Sequence, residues 1–501
     1  MWIASRFESQ EIDRKSVLDF GLKESDLMEA AGAAVFRVVG EWIPTGKRLA
    51  VVCGKGNNGA DGFVVAGLAH RGGYFVACIV GCSESELNEA ARHQLSRLRN
   101  SGVQPVFCDA PLFFENLADT LDTDLIVDAL LGTGAVGIIR EPYTTLIQAM
   151  NEARAEVVAV DVPSGLDCDT GEMLGICVNA SETVTFGLPK PFLFQGQGPE
   201  MVGVWSVADL GFPAELLDEP RAAQLLLPDR ISRLLPKRGI ASHKGNNGSL
   251  LIVAGSRDMR GAAVLCARAA IRAGIGLVTV ASIEPVLTAV ASMCPEATLL
   301  TLMEDSGCIS ASATETLLAA QSKYDAAVFG PGLTTSASVR NLLEQVWSKL
   351  TLPSVIDADA LNLAALGVPF PTETCVLTPH PGEMARLLPN IRGTRFELAR
   401  LANERFGKTV VLKGANSIIA DPLTALSVNT TGNSGMSTAG MGDVLSGIIG
   451  TLLAQELSAV DAASVGVLWH GLAGDACSEK IGSIGFTAME VADALPATRP
   501  Q

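Results

Sequence analysis

Long apolar runs, aromatic residues, histidine and paired cysteines are all scarce in this 501-residue chain, and each scarcity excludes something. No segment offers about twenty uninterrupted apolar residues, so no membrane span is expected. The first residues, Met1-Trp2-Ile3-Ala4-Ser5-Arg6, lack a basic stretch followed by an apolar one. A secretory leader is therefore not expected, and the reading is a cytoplasmic protein. The eleven cysteines are scattered from Cys53 to Cys477 without a Cys-x-x-Cys pair, which removes the usual zinc spacing and favours reduced core thiols. Basic residues are outnumbered as well. A formal net charge of −17 disfavours nucleic acid as a partner, because that needs a basic footprint.

What is present is apolar bulk and glycine. Hydrophobic residues make up 48% of the chain and there are 50 glycines, enough for large cores and many tight turns. A chain this long implies more than one domain. In the first half, residues 49–53, 75–80, 125–129, 157–162 and 183–186 read as buried strands, with helical spacing at 61–71 and 84–100. The second half repeats the style at 250–254, 277–281, 326–329, 354–357, 376–378 and 409–412, with helices at 262–273 and 444–454. Strand–helix alternation implies parallel sheets covered on both faces, with ligands beyond the strand carboxyl ends. Between the halves, residues 210–236 carry Pro213, Pro220, Pro228 and Pro236 among charges, which suits a connection. The expected domains are 1–218 and 225–498.

The first half carries Gly54-Lys55-Gly56-Asn57-Asn58-Gly59-Ala60-Asp61-Gly62 after a strand and at the start of a helix. Amides at such a helix start can face an anion. It is not a Walker loop, because Gly-Lys-Ser/Thr is missing. Two later strands end in carboxylates: Asp128, followed by Leu131-Gly132-Thr133-Gly134, and Asp161, followed by Pro163-Ser164-Gly165. Strand ends of this kind gather along one sheet edge. Asn58, Asp128 and Ser164 can then offer oxygens to a hard cation, leaving Asp161 as an acid/base candidate. Each piece alone also reads as a capped turn.

As an ordered set, these motifs resemble the NAD(P)H-hydrate epimerase domain, over roughly residues 1–215. The resemblance implies a Rossmann-like three-layer α/β/α fold. It implies that Asn57, Asn58, Gly59, Ala60 and Asp61 contact the hydrated dinucleotide, together with Gly132, Thr133, Gly134, Ala135, Val136, Gly137 and Ile138. Asp161 would act at the reacting ring, and Asn58, Asp128 and Ser164 would hold K⁺.

The second half carries His243-Lys244-Gly245-Asn246-Asn247-Gly248, Gly330-Pro331-Gly332-Leu333, Thr378-Pro379-His380-Pro381-Gly382-Glu383, Lys413-Gly414 and Ser437-Thr438-Ala439-Gly440-Met441-Gly442-Asp443. Small residues at the start of the apolar helix after Gly442 make an oxyanion pocket, with Asp443 placed to take a hydroxyl proton. In this order the set resembles the ribokinase-like, ADP-dependent NAD(P)H-hydrate dehydratases, over about residues 230–495. By that resemblance Ala262, Gly332, His380 and Asp443 contact the hydrate. Lys413, Gly414, Ala415, Asn416, Ser417, Gly440 and Gly442 would line the nucleotide. The Lys-Gly stretch departs from the family pattern, which continues to an acidic residue where this chain has Ala415-Asn416. The implied reaction phosphorylates the ring hydroxyl from ADP, with Mg²⁺, and then expels phosphate.

The joint reading is repair of hydrated NADH and NADPH: epimerisation of the two hydrates, then dehydration of the S form. The expected partners are small molecules (the NADH and NADPH hydrates and ADP) and further copies of the chain as a homo-oligomer, with no nucleic acid and no membrane. The alternative is a vitamin or sugar kinase of the same ribokinase-like fold, preceded by a nucleotide-binding module without catalysis.

Overall fold

The structure, a computed structural model, describes residues 1–236, 239–241 and 243–500. Among them no helix is long and apolar enough to cross a membrane, and all eleven cysteines are free thiols. The chain divides into two compact units, with the division between Ala222 and Ala223.

The sheet of the first unit contains β1 (Arg48–Cys53), β2 (Phe75–Val80), β3 (Val106–Phe107), β4 (Leu125–Ala129), β5 (Glu156–Val160), β6 (Glu182–Phe186) and β7 (Val204–Ala208). Their order is β3-β2-β1-β4-β5-β6-β7, and every pairing is parallel. Alternation along β1 explains the layers. Leu49, Val51 and Cys53 face one core, shared with α1 (Glu24–Trp42) and α2 (Asn57–Arg71). Ala50 and Val52 face another, shared with α3 (Tyr143–Glu152). A strand buried on both faces reads as a continuous apolar run, which is why these strands were visible in the sequence. The strand order reverses between β1 and β4, and that switch point opens a crevice at their carboxyl ends.

The second unit has β8 (Ala223–Leu225), β9 (Ser249–Val253), β10 (Leu277–Ser282), β11 (Thr298–Thr301), β12 (Ala326–Phe329), β13 (Ser354–Ile356), β14 (Cys375–Leu377), β15 (Thr409–Leu412), β16 (Ile418–Ala420) and β17 (Leu426–Val428). They run in the order β8-β17-β16-β15-β14-β13-β12-β9-β10-β11. The pairings from β11 to β15 are parallel, whereas β15–β16 and β16–β17 are antiparallel. The switch point lies between β9 and β12. The apolar helix α4 (Met441–Ala454) packs against α5 (Arg260–Ala273) and β12.

Several local readings shift. The helix expected from residue 61 begins at Asn57, so the Asn-Asn-Gly run forms its first turn instead of preceding it. The helix expected over 84–100 breaks into a 3₁₀ turn, Glu84–Glu86, and a helix, Glu89–Asn100, which Asn88 caps by accepting from the Ala91 N–H at 2.8 Å. The stretch 210–236 is more than a connection, since Ala223–Leu225 pairs in parallel with β17. The segment His243 to Gly248 precedes β9 and so lies at the amino ends of the strands, away from the carboxyl-end crevice.

Gly54 shows how tightly the first crevice is drawn, since a β-carbon there would overlap the backbone carbonyl of Leu130, whereas one on Gly56 would meet open space. Gly54→Ala should therefore destabilise the first unit by about 1–3 kcal/mol, the usual cost of overpacking, with Gly56→Ala near neutral. Urea unfolding of both variants checks this.

Candidate active sites

At the switch point of the first unit lies a cavity of about 780 Å³. Its wall includes Asn57, Asn58, Asp61, Gly132, Thr133, Gly134, Ala135 and Asp161. Asp161 follows β5 with φ +64°, a left-handed conformation that a non-glycine residue adopts at a cost. Its carboxylate is 8% exposed and tightly held. Lys190 Nζ donates to Asp161 Oδ1 at 2.7 Å, and Thr185 Oγ1 donates to the same oxygen at 3.0 Å. The ammonium also donates to Thr185 Oγ1 at 2.7 Å and to the Phe186 carbonyl at 2.9 Å, and Lys190 itself is only 2% exposed. A lysine this buried serves its carboxylate rather than solvent. Sequence reading had assigned Lys190 no role.

Three further carboxyls line the cavity, Glu24 on α1 among them. Asp61 on α2 is 9% exposed. Burial, with Asp161, Asp13 and Glu24 nearby, pushes it well above the ordinary range. Asp13 stands at the cavity wall on the N-terminal helix Arg6–Leu18, and desolvation with the Asp161 charge pushes it up to about 6. Asp13 was also missed, because its helix reads as an ordinary charged amphipathic segment.

Not every expected contact reaches the cavity. Gly59 and Ala60 are buried inside the first turn of α2, and neither is among the residues lining it. Val136 and Ile138 are exposed, at 68% and 80%, and with Gly137 they lie outside the lining. The side chain of Asn57 faces its neighbours, donating to Glu24 Oε1 at 3.2 Å and accepting from Asn88 Nδ2 at 2.7 Å.

Asp128 and Ser164 are brought together directly. Ser164 Oγ donates to Asp128 Oδ1 at 2.6 Å and the Ser164 N–H donates to Oδ2 at 2.7 Å, both residues being fully buried. Every donor to this carboxylate is neutral, and burial pushes it up to about 6 despite Ser164. The Asn58 amide nitrogen is buried without a hydrogen-bond partner among the described residues, and the Asn58 Oδ1 sits beside Gly132.

In the second unit, Asp357 follows β13 and is 1% exposed. It stands at the start of the helix Ala358–Ala365 yet makes no side-chain capping bond there. Instead it accepts from Lys413 Nζ at 2.6 Å and from Ser446 Oγ at 2.8 Å. Lys413 Nζ also lies 3.8 Å from Glu383 Oε2. Burial works against the lysine's charge, but Asp357 and Glu383 outweigh it and raise Lys413. The lysine expected to face the nucleotide thus points inward as a counter-charge. The turn that follows it joins the antiparallel pair β15–β16, where Leu412 faces Ile418, so Gly414, Ala415, Asn416 and Ser417 form the hairpin crest.

Asp443 sits in the first turn of α4, beyond Gly440 and beside Gly442. Among the described residues it has neither a hydrogen bond nor an ion pair. Burial, then Asp357, pushes it up to about 7, Lys413 pulling the other way. Gly332 has φ +63°, and a β-carbon there would crowd Ala262, so these two expected contacts are neighbours. His380 Nδ1 accepts from the Gly382 and Glu383 N–H groups at 3.0 and 3.4 Å while Glu383 Oε2 accepts from the His380 N–H at 2.8 Å. This capping box occupies Nδ1, and Nε2 lies 3.5 Å from Glu383 Oε1. No cluster of three or more His, Cys, Asp or Glu suited to a metal occurs among the described residues.

Family models match both halves: the YjeF-related protein N-terminus over residues 24–192 and NAD(P)H-hydrate dehydratase over residues 250–497. The chain is 38% identical to the bifunctional NAD(P)H-hydrate repair enzyme Nnr of Coxiella burnetii, covering 96% of each chain. It is also 38% identical to the enzyme of that name from Escherichia coli, over 99% of this chain and 93% of that one. Among solved structures, it is similar to the ADP/ATP-dependent NAD(P)H-hydrate dehydratase of Bacillus subtilis co-crystallised with ATP and Mg²⁺. That match has 30% identity and a TM-score of 0.48, and covers 55% of this chain and 96% of that chain.

The shifted Asp443 has a consequence for stability. Its folded value, about 7, lies above that of an unfolded aspartate, so the folded state binds the extra proton. The associated stability is present below about pH 4 and is lost as pH rises through 7. Asp443→Asn should therefore melt at a higher temperature than wild type at pH 8, the gap closing towards pH 4. Calorimetry at the two pH values checks the sign.

Proposed function

The chain belongs to the family of bifunctional NAD(P)H-hydrate repair enzymes, and on that footing we propose which residues carry its two activities. The first unit interconverts the two epimers of the hydrated dihydronicotinamide, with Asp161 exchanging a proton with the ring hydroxyl. Lys190 and Thr185 hold that carboxylate in place. Asn58, Asp61, Gly132, Thr133, Gly134 and Ala135 line the cavity that takes the dinucleotide.

The second unit dehydrates the S hydrate. Asp443 takes the hydroxyl proton as that oxygen attacks the terminal phosphoryl group of ADP, releasing AMP. The C–O bond then breaks with its electron pair leaving on phosphate, a proton leaves the adjacent ring carbon, and the ring double bond is restored. Phosphate leaves more readily than hydroxide, which is the reason to phosphorylate first. Ala262, Gly332 and His380 stand around the hydrate. The crest 414–417, Gly440 and Gly442 receive the nucleotide, with Lys413 beneath them. The single observation that carries this reading is Asp443, half-buried in the first turn of α4 without a side-chain partner among the described residues and pushed up to about 7.

Two ions are part of the proposal. The neutral surroundings of the Asp128 carboxylate suit a monovalent cation, so Asp128, Ser164 and the side-chain oxygen of Asn58 beside Gly132 would hold K⁺. It would supply the positive charge that this carboxylate otherwise lacks. Mg²⁺ would shield the transferring phosphates, carried by the nucleotide rather than by a side-chain cage, for which the described residues offer no cluster.

A mixture of both hydrate epimers, given ADP and Mg²⁺, should regain its full dihydronicotinamide absorbance. Asp161→Asn should stop when one epimer is exhausted. Asp443→Asn should show no recovery, a loss of about 10²–10⁴-fold. The wild-type dehydration rate should climb as pH passes through about 7, because Asp443 works unprotonated. Absence of recovery from either epimer with ADP or ATP would send the second unit to the vitamin or sugar kinases. Replacing K⁺ by a bulky organic cation should slow epimer exchange alone, and Asp128→Asn should make exchange insensitive to K⁺.

A further inference from the structure

Epimer exchange needs two proton movements, and Asp161 accounts for one. The ring carbon that inverts carries a hydroxyl and is bonded to the ring nitrogen, so it is a carbinolamine. Opening it neutrally requires a base at the hydroxyl and an acid at the nitrogen. This inference rests on the epimerase reading of the first unit and adds the missing acid.

We propose that Asp61 is a catalytic residue of the exchange, the carboxylic acid that protonates the ring nitrogen while Asp161 deprotonates the hydroxyl. Asp61 lines the same cavity as Asp161, is 9% exposed, and forms no hydrogen bond or ion pair with any described residue. The charges that act on it are all carboxylates. Asp13 faces it from the N-terminal helix, Glu24 from α1 and Asp161 from beyond β5. The two nearby lysines do not serve it. The three donors of Lys190 go to Asp161, Thr185 and the Phe186 carbonyl, and Lys55, on the cavity wall, is exposed. Arg14, also on the wall, is paired with Glu11 at 2.8 Å.

The two aspartates are therefore set apart by environment. Asp161 has a lysine and a threonine donating to it, while Asp61 has neither and is pushed well above the usual carboxylate range by burial and its neighbours. A pair separated in this way divides into base and acid. In the forward step the Asp161 carboxylate takes the hydroxyl proton and the oxygen pair forms the carbonyl. The carbon–nitrogen bond breaks with its pair going to nitrogen, which receives the Asp61 proton. Rotation of the aldehyde, followed by the reverse sequence on its other face, gives the second epimer and restores both carboxyl groups. No co-reactant is consumed.

The test uses the full chain without nucleotide, so that dehydration does not intervene, and follows exchange by separating the epimers. Asp61→Asn should lower kcat by about 10²–10³-fold with KM changed little, and Asp61→Glu should restore part of it. The wild-type fall in kcat at alkaline pH, where Asp61 loses its proton, should be absent from Asp61→Asn and retained in Asp13→Asn. A kcat within threefold of wild type, or a rise in KM alone, would make Asp61 a binding group and overturn the proposal. Should Asp61→Asn fail to fold, the Asp13→Asn profile decides. Loss of the alkaline limb there, or its absence from wild type, also overturns the proposal. Normal exchange in Asp161→Asn would instead refute the epimerase assignment of Asp161, whatever Asp61 shows.

Discussion

Two carboxylates at the carboxyl ends of buried parallel strands, one in each unit, each have their charge matched by a single lysine. Asp161 and Lys190 approach to 2.7 Å, Asp357 and Lys413 to 2.6 Å. In each case one partner is almost wholly removed from water. Such pairs add little net stability, because desolvation consumes most of the attraction, yet deleting one partner costs roughly 3–5 kcal/mol by stranding the other. Their use here is geometric. Lys190 and Thr185 hold Asp161 in a backbone conformation it would not adopt freely. Asp357 and Glu383 pull the Lys413 ammonium under the hairpin crest, and Gly442 leaves room for it at the start of α4.

The uncompensated carboxyls then acquire a different chemistry from the compensated ones. Asp61 and Asp443 have no side-chain partner among the described residues and are pushed up, the latter to about 7. Asp128 is also pushed up, to about 6, although it accepts three hydrogen bonds, since none of its donors is charged. Burial raises a carboxyl, and only a neighbouring cation or strong donors reverse that. One rule thus sorts the aspartates of the two units into charge-matched, neutrally hydrogen-bonded and unpartnered groups.

Much of this was legible from residue order. Buried strands announce themselves as short apolar runs, and their carboxyl-terminal aspartates gave Asp128 and Asp161. The same rule applied to residues 354–357, read as a strand, points to Asp357, which was assigned no role. Lys190 and Asp13 were not visible, for a physical reason. Each acts on a residue far along the chain, and a lone lysine after Leu188-Pro189 or an aspartate on a charged helix looks the same whether it faces water or a cavity. Glycine-rich runs misled in one respect. Asn57 to Ala60 form a helical turn packed so closely that Gly59 and Ala60 serve its fold, while Asn58 and Asp61 face the cavity.

A chain with net charge −17 that gathers aspartates at its reacting centres must still accept polyanionic nucleotides. Lys190 and Lys413 do not resolve this, because both are already committed to carboxylates. Backbone amides can. Both crevices open onto the N-terminal turns of long helices, α2 at Asn57 and α4 at Met441, built from residues small enough for a ligand to reach the main chain. There the helix dipole and free N–H groups favour phosphate without adding a titratable cation. On the proposed reading, proton transfer and anion holding fall to different chemical groups a few residues apart. The carboxyls can be tuned by burial because the phosphates do not depend on neutralising them.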